Sequence, residues 1–190
     1  MPPNSINVAV FDKFPQLESE RLLFREFKKS DVAPFYTLRT HKNVLSYMDT
    51  SPLENLMASE EMIRENHSMF QAKQGISWAI EDAEQQSFLG YFLLWNFNHK
   101  HARAEIGYAL LPENWGNGYM KETFATMLPF AFKTLKLHRL EANINPYNTR
   151  SEQLLNASGF KKEAHFKEHY LFNGKFLDSV IYSLLEKNLK

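Results

Sequence analysis

The 190-residue chain contains no cysteine. That absence excludes disulfide cross-links, a thiolate nucleophile and any zinc or iron–sulfur site held by cysteine. Charge of one sign is not in excess either: Lys+Arg and Asp+Glu both number 22, so the global electrostatic signature of a nucleic-acid or anionic-membrane binder is missing. No window approaches the roughly 18 uninterrupted apolar residues of a membrane span, and MPPNSINVAVFDKFP at the start lacks the basic and apolar regions of a secretion signal. A cytoplasmic location is the expectation. Glycine is scarce, with seven residues in all, yet two of them stand one residue apart in LPENWGNGYMKE, at Gly116 and Gly118.

A hydrophobic content of 44% with 14% aromatics is enough to bury one substantial core. No linker, repeat or low-complexity tract divides the chain, so residues 1–190 read as one domain with its core at about 18–187. RLLFREF (21–27) alternates like a strand. SDVAPFYTLRTHKNVLSYM reads as one helix with Ser30 as N-cap, and residues 58–74 as a second helix stopped by Gly75. ISWAI, SFLGYFLLWNF and RAEIGYALL, separated by short polar breaks, predict an antiparallel meander. From about Gly118 to Leu135 the apolar residues recur at helical spacing, with Pro129 expected to kink the helix. HRLEANI predicts a strand, RSEQLLNAS a short helix closed by Gly159, and FNG (172–174) a hairpin turn between two last strands. Met62, Met69, Phe70, Phe124, Phe130, Phe132, Trp78 and Trp95 are expected in the core.

A strand ending at Leu111 and a helix beginning near Gly118 leave a loop whose amides point along the helix axis at its positive end, which is an anion site. Glycine there permits positive φ and lets a bulky anion approach the backbone. A tight turn would need the same two glycines, so the pair alone does not decide. Other phosphate motifs fail: Lys121 stands where a dinucleotide fingerprint needs its third glycine, and no GxxxxGK[ST] occurs.

The ordered set EIGYALLPENWGNGYMKE, NTRS, LLNASGF and FNGKFLDSVIYSLL resembles the GNAT acetyltransferase superfamily, and within it the RimJ/RimL-like branch. The resemblance implies an α+β fold, a mixed and mostly antiparallel sheet flanked by helices, and acetyl-CoA as acetyl donor with no metal. It also implies that Trp115, Gly116, Asn117, Gly118 and Tyr119 present backbone groups to the pyrophosphate. Glu113 occupies a position where many members carry Gln or Arg, and Arg150 or Lys121 is the candidate extra countercharge. Pantetheine is implied to run beside the strand around Ala109 to Leu111, with the Leu110 amide, next to Leu111, at the acetyl carbonyl.

An amine acceptor is mostly protonated near neutral pH and needs a base. Glu105, on one strand face with Gly107 and Ala109, is the candidate, and the resemblance implies that role; a solvated carboxylate is the bland alternative. Leu155 stands where many members carry an acidic tyrosine. Ser151, three residues after Asn148, matches the serine that this branch uses instead, with Asn148 implied as a pantetheine contact. A T-x-x-E capping box from Thr149 to Glu152 would leave Ser151 free of a structural task. Tyr47, Met48 and Asp49, between the first two helices, are candidate acceptor contacts. The branch implies a protein N-terminal α-amine as acceptor, of ribosomal-protein type. A small amine such as a polyamine, amino acid or antibiotic is the alternative, and a non-catalytic acyl-CoA-binding regulator a further one. Partners are therefore acetyl-CoA and an amine, with no nucleic acid or membrane, in a monomer or homodimer. His165 and His169, about 13 Å apart if in one strand, do not make a metal pair.

Overall fold

A computed structural model describes residues 6–189; the first five residues of the N-terminal stretch, and Lys190, lie outside the described residues. Two short strands come first, β1 (Leu17–Glu18) and β2 (Leu22–Arg25), and then helices α1 (Val32–Thr40), α2 (Lys42–Leu45) and α3 (Leu56–Gln71). The meander follows as β3 (Ile76–Asp82), β4 (Phe88–Asn98) and β5 (Arg103–Leu110). Helix α4 (Tyr119–Pro129), β6 (Arg139–Ile144), α5 (Thr149–Ala157), β7 (Lys161–Phe172) and β8 (Lys175–Leu185) complete the order.

The strands form one sheet in the order β1-β2-β3-β4-β5-β6-β8-β7, antiparallel at every junction except the parallel β5–β6 pair. Alternation along β5 sorts its side chains to two apolar layers. Ala104, Ile106, Tyr108 and Leu110 pack with Phe124, Met127 and Leu155 of α4 and α5, whereas Ala109 and Leu111 pack with Phe35, Leu38 and Ile63 of α1 and α3. The α+β expectation therefore holds.

Several local expectations need correction. The single helix expected over 30–48 breaks at His41, whose extended backbone (ψ 122) separates α1 from α2 while its ring accepts from the Asn43 amide. Ser30 is not its cap: Asp31 occupies that position, and its carboxylate also accepts from the Lys28 amide. The helix that Gly75 was expected to stop ends at Gln71, and Lys73 supplies the positive φ (58°). Gly75 instead lets the chain pass close to the Leu94 carbonyl, where a Cβ would collide. Pro129, which cannot donate to the preceding turn, stands where α pitch gives way to a π turn over Phe130–Thr134. Trp95 is 43% exposed near the end of β4, while Trp78 is fully buried and donates to the Pro15 carbonyl at 2.7 Å.

The β5–β6 junction positions the site. Their pairing covers only Arg103–Glu105 against Arg139–Glu141, after which the strands part. Beyond Glu105 the even-numbered peptide groups of β5 face an open gap.

Candidate active site

The Leu111 amide donates to the Leu89 carbonyl across β4. Strand alternation therefore turns the Leu110 amide the other way, into the gap. Its carbonyl, on that same side, accepts from Trp115 Nε1 at 2.8 Å, which folds the loop back over the strand end. Gly90 of β4 fits the opposite side of this peptide so closely that a Cβ there would overlap the Ala109 carbonyl oxygen. Backbone contact on one side thus aims the N–H on the other.

After Leu111, a 3₁₀ turn over Pro112–Asn114 leads to Gly116 and Gly118, with φ of +81° and +80°, in the left-handed region where other residues are strained. A Cβ at Gly116 would meet nothing within 4 Å, so conformation rather than crowding selects glycine there. The N-cap of α4 is Gly118, which makes no side-chain cap bond, so the first-turn amides stand at the end where the helix dipole favours negative charge.

One organiser of this loop escaped the sequence reading. Arg21, about 100 positions away, donates to the Asn117 carbonyl at 3.1 Å and to Glu122 at 2.7 Å, and its guanidinium stacks 4.6 Å from the Tyr119 ring centroid. Ser19 and the Arg21 amide also bind Glu122. Burial pushes the Glu122 carboxyl up, but these hydrogen bonds outweigh it and leave the group below the usual range. The turn before β2 thereby clamps the loop from behind. No short-range pattern around residue 21 announces a contact of that sequence separation.

A cleft of about 600 Å³ lies between this loop, the end of β5, the segment after α2 and the start of α5. Of the expected site residues, Tyr47, Met48, Leu110, Trp115, Gly116, Gly118, Tyr119, Asn148 and Ser151 line it, together with Lys121 and Arg150. Arg150 lies 4.8 Å over the Trp115 ring, a cation at the anion end of the cleft. Leu111 is buried against α1 and α3, and the Asn117 carbonyl is turned to Arg21, so neither faces the cleft wall.

Asn148, and not Thr149, caps α5: its side chain accepts from the Ser151 amide at 3.1 Å. The capping box expected from Thr149 to Glu152 is absent because Glu152 instead accepts from the Tyr182 hydroxyl at 2.6 Å. The Ser151 hydroxyl is left pointing at the cleft without a capping task. Leu155 is fully buried beneath it.

Glu105 stands at the last paired position before the gap, opposite Glu141. The two carboxylates differ in partners. Glu141 is bound by Arg139 at 2.6 Å and lies 3.7 Å from Arg103, while Glu105 accepts from Asn96 and, among the described residues, has no cation within salt-bridge distance. Glu105 is not part of the cleft lining; strand alternation puts it on the β5 face of Gly107 and Ala109.

Asp49 also lies outside the lining and has a structural bond set. In left-handed backbone (φ 48), it accepts from Asn145 at 2.9 Å and from the Tyr170 hydroxyl. The segment after α2, whose Tyr47 and Met48 line the cleft, is thus tied to the residue after β6 and to the β7–β8 hairpin.

The family model for the acetyltransferase (GNAT) domain matches residues 21–161. The chain belongs to the GNAT acetyltransferase family. It is an acetyl-CoA-dependent N-acetyltransferase. An uncharacterized N-acetyltransferase, YoaA of Bacillus subtilis, is 31% identical over 91% of this chain and 98% of its own length. The spermidine N(1)-acetyltransferase of Vibrio cholerae is 26% identical over 84% of this chain and 90% of its own length. The ribosomal protein uS5 alanine N-acetyltransferase of Escherichia coli is 34% identical, over 42% of this chain and 41% of its own length. Among the described residues no cluster of His, Asp and Glu could hold a metal ion, and no helix is long and apolar enough to cross a membrane.

Proposed function

We propose that this GNAT enzyme acetylates a small primary amine, by direct transfer from acetyl-CoA. The observation that carries the acceptor class is the tie from Asp49 to Asn145 and Tyr170, which anchors the segment whose Tyr47 and Met48 line the cleft and so limits its freedom to open for a peptide chain. The near full-length similarity to a spermidine acetyltransferase supports the same reading.

In this reading the loop amides from Gly116 to Tyr119 and Arg150 hold the pyrophosphate, while β5 aligns the pantetheine. The Leu110 amide donates to the acetyl oxygen and strengthens as charge develops there. Glu105, directly or through water, takes a proton from the ammonium acceptor and releases it to solvent. The freed amine attacks the acetyl carbon, the C–N bond forms and the C–S bond breaks. Ser151 gives its proton to the departing sulfur and is reprotonated from the amide nitrogen, so the products are the N-acetyl amine and CoA thiol.

A second reading, acetylation of a protein N-terminal α-amine as in the RimJ/RimL-like branch, is favoured by the partial match to the uS5 acetyltransferase. Mass spectrometry of acetyl transfer to a mixed panel separates the two. Product on polyamines, amino acids or aminoglycosides, with peptides unmodified, is the expected result. Product on peptide α-amines alone would replace it with the second reading.

A further inference from the structure

Beneath the Ser151 side of the cleft lies a polar group with no assigned task. Tyr108 projects from β5 on the opposite face from Glu105, and its ring packs edge-on against Phe124 with centroids 5.0 Å apart. Its hydroxyl is buried and, among the described residues, has no hydrogen-bond partner. An unsatisfied buried hydroxyl costs free energy, on the order of 1–3 kcal/mol, which a phenylalanine at this position would avoid. Tyr108 also stands in the wall of the same cleft as Ser151. Burial pushes its pKa up to about 12, and the neighbouring Ser151 hydroxyl acts in the opposite direction without reaching hydrogen-bond geometry. The phenol thus stays protonated across the working range and has a neighbour, but no acceptor.

We propose that Tyr108 is a positioning residue for proton delivery: its phenol O–H donates to the Ser151 oxygen and turns the serine proton toward the leaving sulfur. Donation to Ser151 occupies one lone pair of the serine and stabilises the oxygen while its proton is in flight. It also satisfies the buried phenol at the moment the cleft is filled. No net proton is consumed by this arrangement, since Tyr108 keeps its proton and only Ser151 exchanges one.

The proposal rests on Ser151 acting as the acid, and its test separates the two claims. Tyr108→Phe, Ser151→Ala and the double variant are compared in kcat, in KM for acetyl-CoA and in thermal midpoint. Tyr108→Phe keeps the ring and its packing on Phe124, so the fold is preserved. The expected result is a roughly tenfold lower kcat for Tyr108→Phe with KM within about twofold of wild type, and a double variant no slower than Ser151→Ala alone. Loss with Ser151→Ala but none with Tyr108→Phe would overturn the positioning role and leave Ser151 as acid. Multiplying losses in the double variant, or a raised KM as the main effect of Tyr108→Phe, would also overturn it. No loss with Ser151→Ala would remove the acid reading itself.

Discussion

Glu105→Gln lowers kcat by about 10²- to 10⁴-fold near neutral pH in this account, with acetyl-CoA affinity unchanged, the usual weight of a positioned general base. Glutamine keeps the length of the side chain and its bond to Asn96, so the loss reports chemistry and not packing. The sign of the pH dependence follows from the acceptor. A primary amine is almost wholly protonated at neutral pH, and its free fraction grows as the pH approaches the amine pKa, ~10.4 for a lysine-like amine. The deficit of the variant is therefore largest at low pH and narrows as pH rises. Rate measurements of both enzymes from about pH 6 to pH 9.5 test this; parallel profiles would remove Glu105 as base. Glu141, already neutralised by Arg139 and Arg103, is not positioned to substitute.

Replacing Arg25 by leucine is the second large effect, and it falls on stability. The Arg25 side chain is 6% exposed and pairs with Asp31 at 2.6 Å and with Glu81, whose side chains are 3% and 5% exposed. Leucine would leave two buried carboxylates facing an apolar group. Lys28 reaches Glu81 at 3.2 Å but is 54% exposed, and Asp31 would retain only the Lys28 amide of its present donors. Breaking a buried pair from one side costs about 3–5 kcal/mol, which for a chain of this length lowers the melting temperature by roughly 6–20 °C. Melting of both proteins at pH 7 checks this, and a loss below about 1 kcal/mol would contradict it. The network has functional reach, because it joins β2 and β3 to the start of α1, whose layer carries Met48 and the cleft wall.

Local features of the fold were legible in the sequence, and long-range ones were not. Runs rich in β-formers, separated by short polar breaks, gave the β3–β4–β5 meander directly, and the Gly116/Gly118 pair sat where a strand must hand over to a helix. The Asn173–Gly174 turn, both residues at positive φ, was equally local. What escaped was long in range. Arg21 behind the loop, Glu152 on Tyr182 and Asp49 across the cleft are each set by tertiary neighbours 30 or more positions away. A capping box between Thr149 and Glu152 satisfied the local rule but lost to Asn148, because Glu152 found a better donor in β8. The break at His41 shows the same limit, since apolar spacing continues through it while the backbone does not. The parting of β5 and β6, on which the chemistry depends, came from family resemblance and not from any residue pattern in either strand.

The central claim is that acetyl-CoA lies in the gap between β5 and β6 with its acetyl oxygen on the Leu110 amide. A crystal structure of the enzyme with acetyl-CoA tests it most directly. The account places the pyrophosphate on the amides from Gly116 to Tyr119, the pantetheine along β5, and the acetyl oxygen within hydrogen-bond distance of the Leu110 N–H. A pyrophosphate bound elsewhere, or a Leu110 amide turned away from the thioester, would contradict it.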